Sequence, residues 1–111
     1  MSQQEIPPGT LDMLVLQTLA RNTEMHGFEI AEAIERVSAD VFRVEEGSLY
    51  PALQRLLIKG YVKAEWGRTA ENRRARYYTL TAAGKKQLAV EVKSYETATN
   101  AIARILKPGF A

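Results

Sequence analysis

Four arginines, Arg68, Arg73, Arg74 and Arg76, stand within nine consecutive positions, and shortly before them lie Ser48, Tyr50, Pro51, Gln54, Arg55 and Lys59. Crowded guanidiniums suit phosphate contacts or insertion into a narrow minor groove, since each is a permanent cation with a planar fork of donors. Gln can bond adenine bidentately and Arg can bond guanine, whereas Tyr or Ser can meet phosphate. Other chemistries lack their parts. There is no Cys and one His, His26, so thiolate metal sites and cysteine nucleophiles are excluded, and no nucleophile–base pair can be assembled. His26, beside Gly27 at a helix start, is expected to cap or pack. The expectation is a binding protein without catalytic residues, metal or cofactor.

Charge is segregated along the chain. Residues 1–46 carry three basic and nine acidic residues, a net −6, while residues 47–111 carry twelve basic and four acidic ones, a net +8. This asymmetry suits a polyanion-binding surface in the second half, a solvated basic face being the alternative. A chain of 111 residues with 46% hydrophobic and 25% charged content fits one globular domain. Without Cys, nothing points to an oxidising compartment. No basic-then-apolar leader and no apolar stretch near the ~20 residues of a membrane span is present, so the expected location is cytoplasmic, on the nucleoid, with no membrane partner.

MSQQEIPPG (1–9) reads as a flexible or extended arm. Thr10 is a plausible N-cap for a first helix, with Asp12 in its first turn and Leu11, Leu14, Val15, Thr18 and Leu19 as its core stripe. After a connector over 22–27, Ile30, Ile34 and Val37 mark a second helix. Its opposite side carries Glu29, Glu32 and Glu35, so it is expected to support a phosphate reader rather than be one. A third helix runs from Gly47 to Lys59, with Ser48 as N-cap and Pro51 tolerated in the first turn. It buries Leu49, Leu53, Leu56 and Leu57 and leaves the polar set on its other faces, an ordinary amphipathic helix with Tyr50 partly buried being the alternative. Gly60 ends it. Residues 61–66 alternate as a strand, 67–73 form a polar turn, and 74–80 return as a second strand, with Trp66 and Tyr78 expected in the hairpin core. Helix, strand, basic loop and strand in that order make the reading helix and wing of a winged helix-turn-helix over 10–81.

Thr81 then caps a helix over 82–107, closed by Pro108-Gly109, with a tail over 108–111. Within it Leu88, Val92, Tyr95, Thr99, Ile102 and Leu106 repeat in steps of 4 and 3, a heptad seam ~27 Å long. So long a seam exceeds what a core of this size covers, and it argues for a partner, most simply a second copy. The alternative is a helix folded back on its own core. The fold class is thus mainly α with a small β-hairpin, a winged helix-turn-helix plus a long C-terminal dimerisation helix.

Thr10-Leu11, His26-Gly27-Phe28-Glu29-Ile30, Gly47-Ser48-Leu49-Tyr50-Pro51-Ala52-Leu53, Glu65-Trp66-Gly67, Arg74-Ala75-Arg76-Tyr77-Tyr78 and Leu80-Thr81-Ala82-Ala83-Gly84 together resemble the PadR-like transcriptional regulators over about residues 10–90. The resemblance implies a bacterial, homodimeric repressor whose C-terminal helices build the dimer and whose third helices read a pseudo-palindromic duplex operator. Carried over by position, Ser48, Tyr50, Pro51, Gln54 and Arg55 are the groove-facing set and Arg73, Arg74 and Arg76 the wing. The chain is similar to the short type, with one C-terminal helix. Some short relatives accept flat hydrophobic effectors between subunits, for which Tyr95 and Trp66 are the aromatic residues on offer here, with structural roles as their first expectation. A winged-helix adaptor that binds protein and not DNA is the competing class, separated by the salt dependence of duplex binding.

Overall fold

The computed structural model describes residues 3–107 and Gly109. The first two residues of the arm, the helix stop expected at Pro108 and the tail beyond Gly109 lie outside the described residues. Among the described residues seven elements follow in order: α1 (Leu11–Ala20), β1 (Met25–His26), α2 (Gly27–Val37), α3 (Glu46–Ile58), β2 (Val62–Arg68), β3 (Arg74–Leu80) and α4 (Ala82–Leu106). The strands form one antiparallel sheet in the order β1-β3-β2, with Val62 opposite Leu80 and Arg68 opposite Arg74. β1, which sits in the stretch expected as a connector, pairs Met25 with Tyr78 and His26 with Tyr77.

One core joins the helices to the base of the sheet. Val15, Leu16 and Leu19 of α1, Ile30 and Ile34 of α2, Leu49, Leu53 and Leu56 of α3, Val62, Tyr78 and Leu88 are all buried in it. The expected stripes hold with shifts. On α1, Met13 and Leu16 are buried where Leu11 and Leu14 pack only at the margin. On α2, Val37, the last residue of the helix, is exposed and Ala33 takes the buried place. Leu57 of α3 is partly buried, and Ala52 is buried instead.

The caps differ in kind. Thr10 precedes α1 but its hydroxyl donates to the Pro7 carbonyl at 2.7 Å and makes no cap bond. His26 does cap α2: its Nδ1 accepts from the Glu29 amide at 3.4 Å while the Glu29 carboxylate accepts from the His26 amide at 3.1 Å, a reciprocal box. For α3 the N-cap is Glu45, without a side-chain bond, so Ser48 lies inside the first turn. Pro51 then falls in the second turn, where its missing N–H leaves the Gly47 carbonyl without its helical donor.

The link between α2 and α3 is held by short polar contacts. Glu35 accepts from the Val44 amide at 2.8 Å, and the Ser38 hydroxyl accepts from the Phe42 amide at 3.2 Å. The arm is extended and tied to this link, with the Gln4 amide donating to Val41 O at 2.7 Å and Ile6 packed on the core. Glu29 is thus spent on the cap of α2 and Glu35 on the turn that follows it.

Thr81 caps α4 as expected, accepting from the Gly84 amide at 3.0 Å and donating to the Gly60 carbonyl at 2.7 Å. The start of α4 lies so close to the end of α3 that a Cβ on Gly84 would stand 2.1 Å from the Tyr61 carbonyl oxygen. α4 packs on α1 through Leu88 and Val92 and then leaves the body. The radius of gyration is 15.8 Å and the extents are 58 × 34 × 22 Å, against about 13 Å for a compact chain of this length. Gly84→Ala is expected to cost about 1–3 kcal/mol through the backbone clash, seen as a lower denaturant midpoint. An unchanged midpoint would mean that α4 is not seated on Tyr61.

Candidate nucleic-acid interface

α3 is anchored on one side and bare on the other. Leu49, Ala52, Leu53 and Leu56 hold it to the core, and Ser48, Tyr50, Pro51, Gln54, Arg55 and Lys59 are all exposed. At 100° per residue, Gly47, Pro51, Gln54 and Ile58 lie opposite the buried stripe, with Arg55 and Ser48 on the shoulder towards α1 and Tyr50 on the other. Ile58, 83% exposed, belongs to neither the leucine stripe nor the polar set, so no pattern in the sequence marks it. Its place at the middle of the bare face sets an apolar side chain among the exposed polar ones.

The two shoulders are fixed differently. Tyr50 lies across the start of α2, where a side chain on Gly27 would approach its ring and hydroxyl to 3.0 Å. Arg55 is engaged by Asp12, with Nη2 donating to Oδ1 at 2.7 Å and Nε to Oδ2 at 3.3 Å. That carboxylate, by its hydrogen bonds first and its charge second, holds the guanidinium proton more firmly than usual. In the sequence Asp12 stands out only as a first-turn carboxylate that suits the helix dipole.

The wing continues the sheet past the end of the core. On one face Val62, Leu80, Ala64 and Tyr78 come first, and the pairs Trp66–Arg76 and Arg68–Arg74 extend the same face outward. Burial pushes the Tyr78 phenol up from its ordinary value, against the Arg76 cation, so the inner half of the face is apolar and neutral. The outer half is cationic. The Arg74 guanidinium carbon stands 4.3 Å from the Trp66 ring centroid and that of Arg76 5.8 Å, within cation–π range.

Trp66 is 60% exposed, contrary to its expected place in the hairpin core, whereas Tyr78 is buried as expected. The strand outruns the helices beneath it, so the same alternation that packs the half-buried Ala64 against the core leaves Trp66 as a platform for arginines. Arg68 donates to the Asn72 carbonyl at 3.1 Å and braces the turn, and Arg73 is exposed at the tip. Among the described residues none of these four guanidiniums lies within 4.0 Å of a carboxylate.

Between α3 and the wing is an open cleft of about 1050 Å³, lined by Tyr50, Gln54, Trp66, Arg74 and Arg76 and, on the α2 side, by Phe28, Glu29 and Glu32. Of the residues named from sequence, Tyr50, Gln54, Arg73, Arg74 and Arg76 share this concave side, whereas Arg68 does not line it and Ser48, Pro51 and Arg55 border a second hollow beside the arm. Glu32 is exposed in the cleft, so the acidic helix borders it. Among the described residues no group of His, Cys, Asp and Glu is placed to hold a metal ion, and no helix is long and apolar enough to cross a membrane.

On α4 the seam divides. Leu88 is buried in the chain's own core and Val92 packs against it, so these two serve the fold. Tyr95, Thr99, Ile102 and Leu106 are exposed, and Ile105 joins them, both Ile105 and Leu106 at 75%.

A helix-turn-helix with a bare third helix, a cationic β-wing beside it and a projecting C-terminal helix defines the winged helix-turn-helix class. Residues 15–90 match the Transcriptional regulator PadR-like family, and the chain belongs to that family of transcriptional regulators, which are not enzymes. It is similar to a transcriptional regulator from Clostridium thermocellum, at 27% identity and a TM-score of 0.81 over 89% of this chain and 95% of that one. A PadR family transcription regulator from hypervirulent Clostridium difficile is 26% identical with a TM-score of 0.74, over 89% of this chain and 100% of that one. Bacillus subtilis PadR, solved in complex with operator DNA, shares the fold at 23% identity and a TM-score of 0.66, over 75% of this chain and 47% of that one.

The Trp66–Arg74 stack is expected to return a coupling of about 0.5–1 kcal/mol in a double-mutant cycle of stability with Trp66→Ala and Arg74→Ala. Purely additive losses would show that the arginine does not rest on the indole.

Proposed function

We propose that the chain is a homodimeric, sequence-specific DNA-binding repressor of the cytoplasm, working on the nucleoid, whose two α3 helices read a pseudo-palindromic operator. The observation that carries the proposal is the open cleft between α3 and the wing, which Gln54 lines together with Arg73, Arg74 and the half-buried Arg76, none of the wing arginines being paired with a carboxylate among the described residues. α3 supplies base-edge contacts through Gln54 and Arg55, with Ile58 against thymine methyls, while Ser48, Tyr50, Pro51 and Lys59 set its distance from the backbone. Arg68, Arg73, Arg74 and Arg76 supply backbone or minor-groove affinity that does not choose sequence. That Bacillus subtilis PadR was solved with operator DNA supports this use of the fold. Of the aromatics offered for a flat hydrophobic effector, Trp66 carries Arg74 on its ring, and Tyr95 lies on the uncovered face of α4.

Dimerisation rests on α4. A row of Tyr95, Thr99, Ile102, Ile105 and Leu106 in water is costly unless a second copy covers it. Because Val92 packs inside its own chain, Ile102→Asp with Leu106→Asp tests the seam without touching the fold, and light scattering is expected to report a monomer. A dimer that survives both charges would place the interface elsewhere.

For the wing, Arg73→Ala with Arg74→Ala is expected to weaken random and selected duplexes alike and to flatten the slope of log affinity against log salt by up to ~2 units. An unchanged slope would remove the wing from the interface. A wild-type chain that binds no duplex at low salt would favour a protein adaptor.

A further inference from the structure

The Arg55 guanidinium presents two edges, and only one is in use. Asp12 takes the Nε and Nη2 side, so the Nη1–Nη2 end keeps its N–H donors, in the geometry that meets guanine O6 and N7 together. The clamp is rigid at its base. Asp12 stands in the first turn of α1, whose Val15, Leu16 and Leu19 are buried, and its side chain is 22% exposed against 50% for Arg55. On the grounds that α3 is the reading helix, as proposed above, we infer that Asp12 is a positioning residue for sequence reading, which holds Arg55 side-on so that its free end is aimed at one guanine in each half-site.

Two effects act together. An arginine held in one rotamer before binding loses less freedom on meeting a base. The carboxylate also neutralises a cation that would otherwise bond any phosphate within reach, so random duplex gains less from Arg55 than a correctly placed guanine does. Lysine has no second edge and cannot be held and read at once.

The test is selection of binding sites from random duplex DNA, followed by affinities for the selected site, its single-base variants and a random duplex across a salt series. Arg55→Ala is expected to abolish the preference at one G·C position per half-site and leave the others. Asp12→Asn is expected to reduce the preference at that same position by about 3- to 10-fold, while tightening random duplex with a salt slope steeper by about 0.9. In the Arg55→Ala background, Asp12→Asn removes only a repelling carboxylate and is expected to leave every base preference unchanged. Arg55→Lys, with its charge kept, is expected to lose the same position, which preserves the test if thermal melting shows Asp12→Asn to be unfolded. Asp12→Asn with base preferences intact, or an Arg55→Lys chain that still selects the G·C pair, overturns the inference alone. A wild-type chain that retains no duplex overturns the DNA-binding reading and this inference with it.

Discussion

A helix that reads a groove has to be rigid and yet bare on the side that does the reading. α3 meets both demands by burying Leu49, Ala52, Leu53 and Leu56 along one side. Burial of leucine side chains stabilises by roughly 1.5–3 kcal/mol each, so the attachment of α3 is a large share of a stability that for domains of this size is only about 5–15 kcal/mol in all. The rest of the molecule is arranged around that attachment. α1 and α2 close the core beneath α3, the Glu35–Val44 and Ser38–Phe42 contacts set the angle at which it leaves α2, and Gly84 lets α4 lock its far end.

The wing extends the same sheet into solvent and changes chemistry where the core stops. Ala64 and Tyr78 are the last residues with helices beneath them, and one pair further the same face becomes Trp66 and Arg76. The exposed Trp66 ring gives Arg74 and Arg76 a surface to lie on, which a smaller residue could not. Some acidic residues, by contrast, are spent locally. Glu29 closes the α2 cap, Glu35 the turn, and Asp12 the side of Arg55, while Glu32, Glu45 and Glu46 stay exposed.

The repeats of the sequence were legible because they are local. The period of α1, α3 and α4, the alternation of the hairpin, the Thr81 cap and the arginine cluster all follow from neighbours within one or two turns, and the structure carries each of them. β1 was not legible, since two residues hold no alternation and Met25 and His26 become a strand only because β3 lies beside them. The start of α3 was misplaced from Glu45 to Ser48, because a Ser before a Pro imitates a capped first turn.

What the sequence by itself determined is the set of faces: which residues of each helix or strand share a side, and that the basic ones gather in the second half. Only the tertiary structure decided where those faces are covered. It exposed Trp66 and Val37, divided the α4 seam after Val92, left Ile58 on the bare side of α3, and brought Asp12 to Arg55 across 43 positions of chain. Periodicity is a property of a few consecutive residues, whereas coverage and long-range ion pairs depend on how far the packed elements reach, which is set by the whole fold.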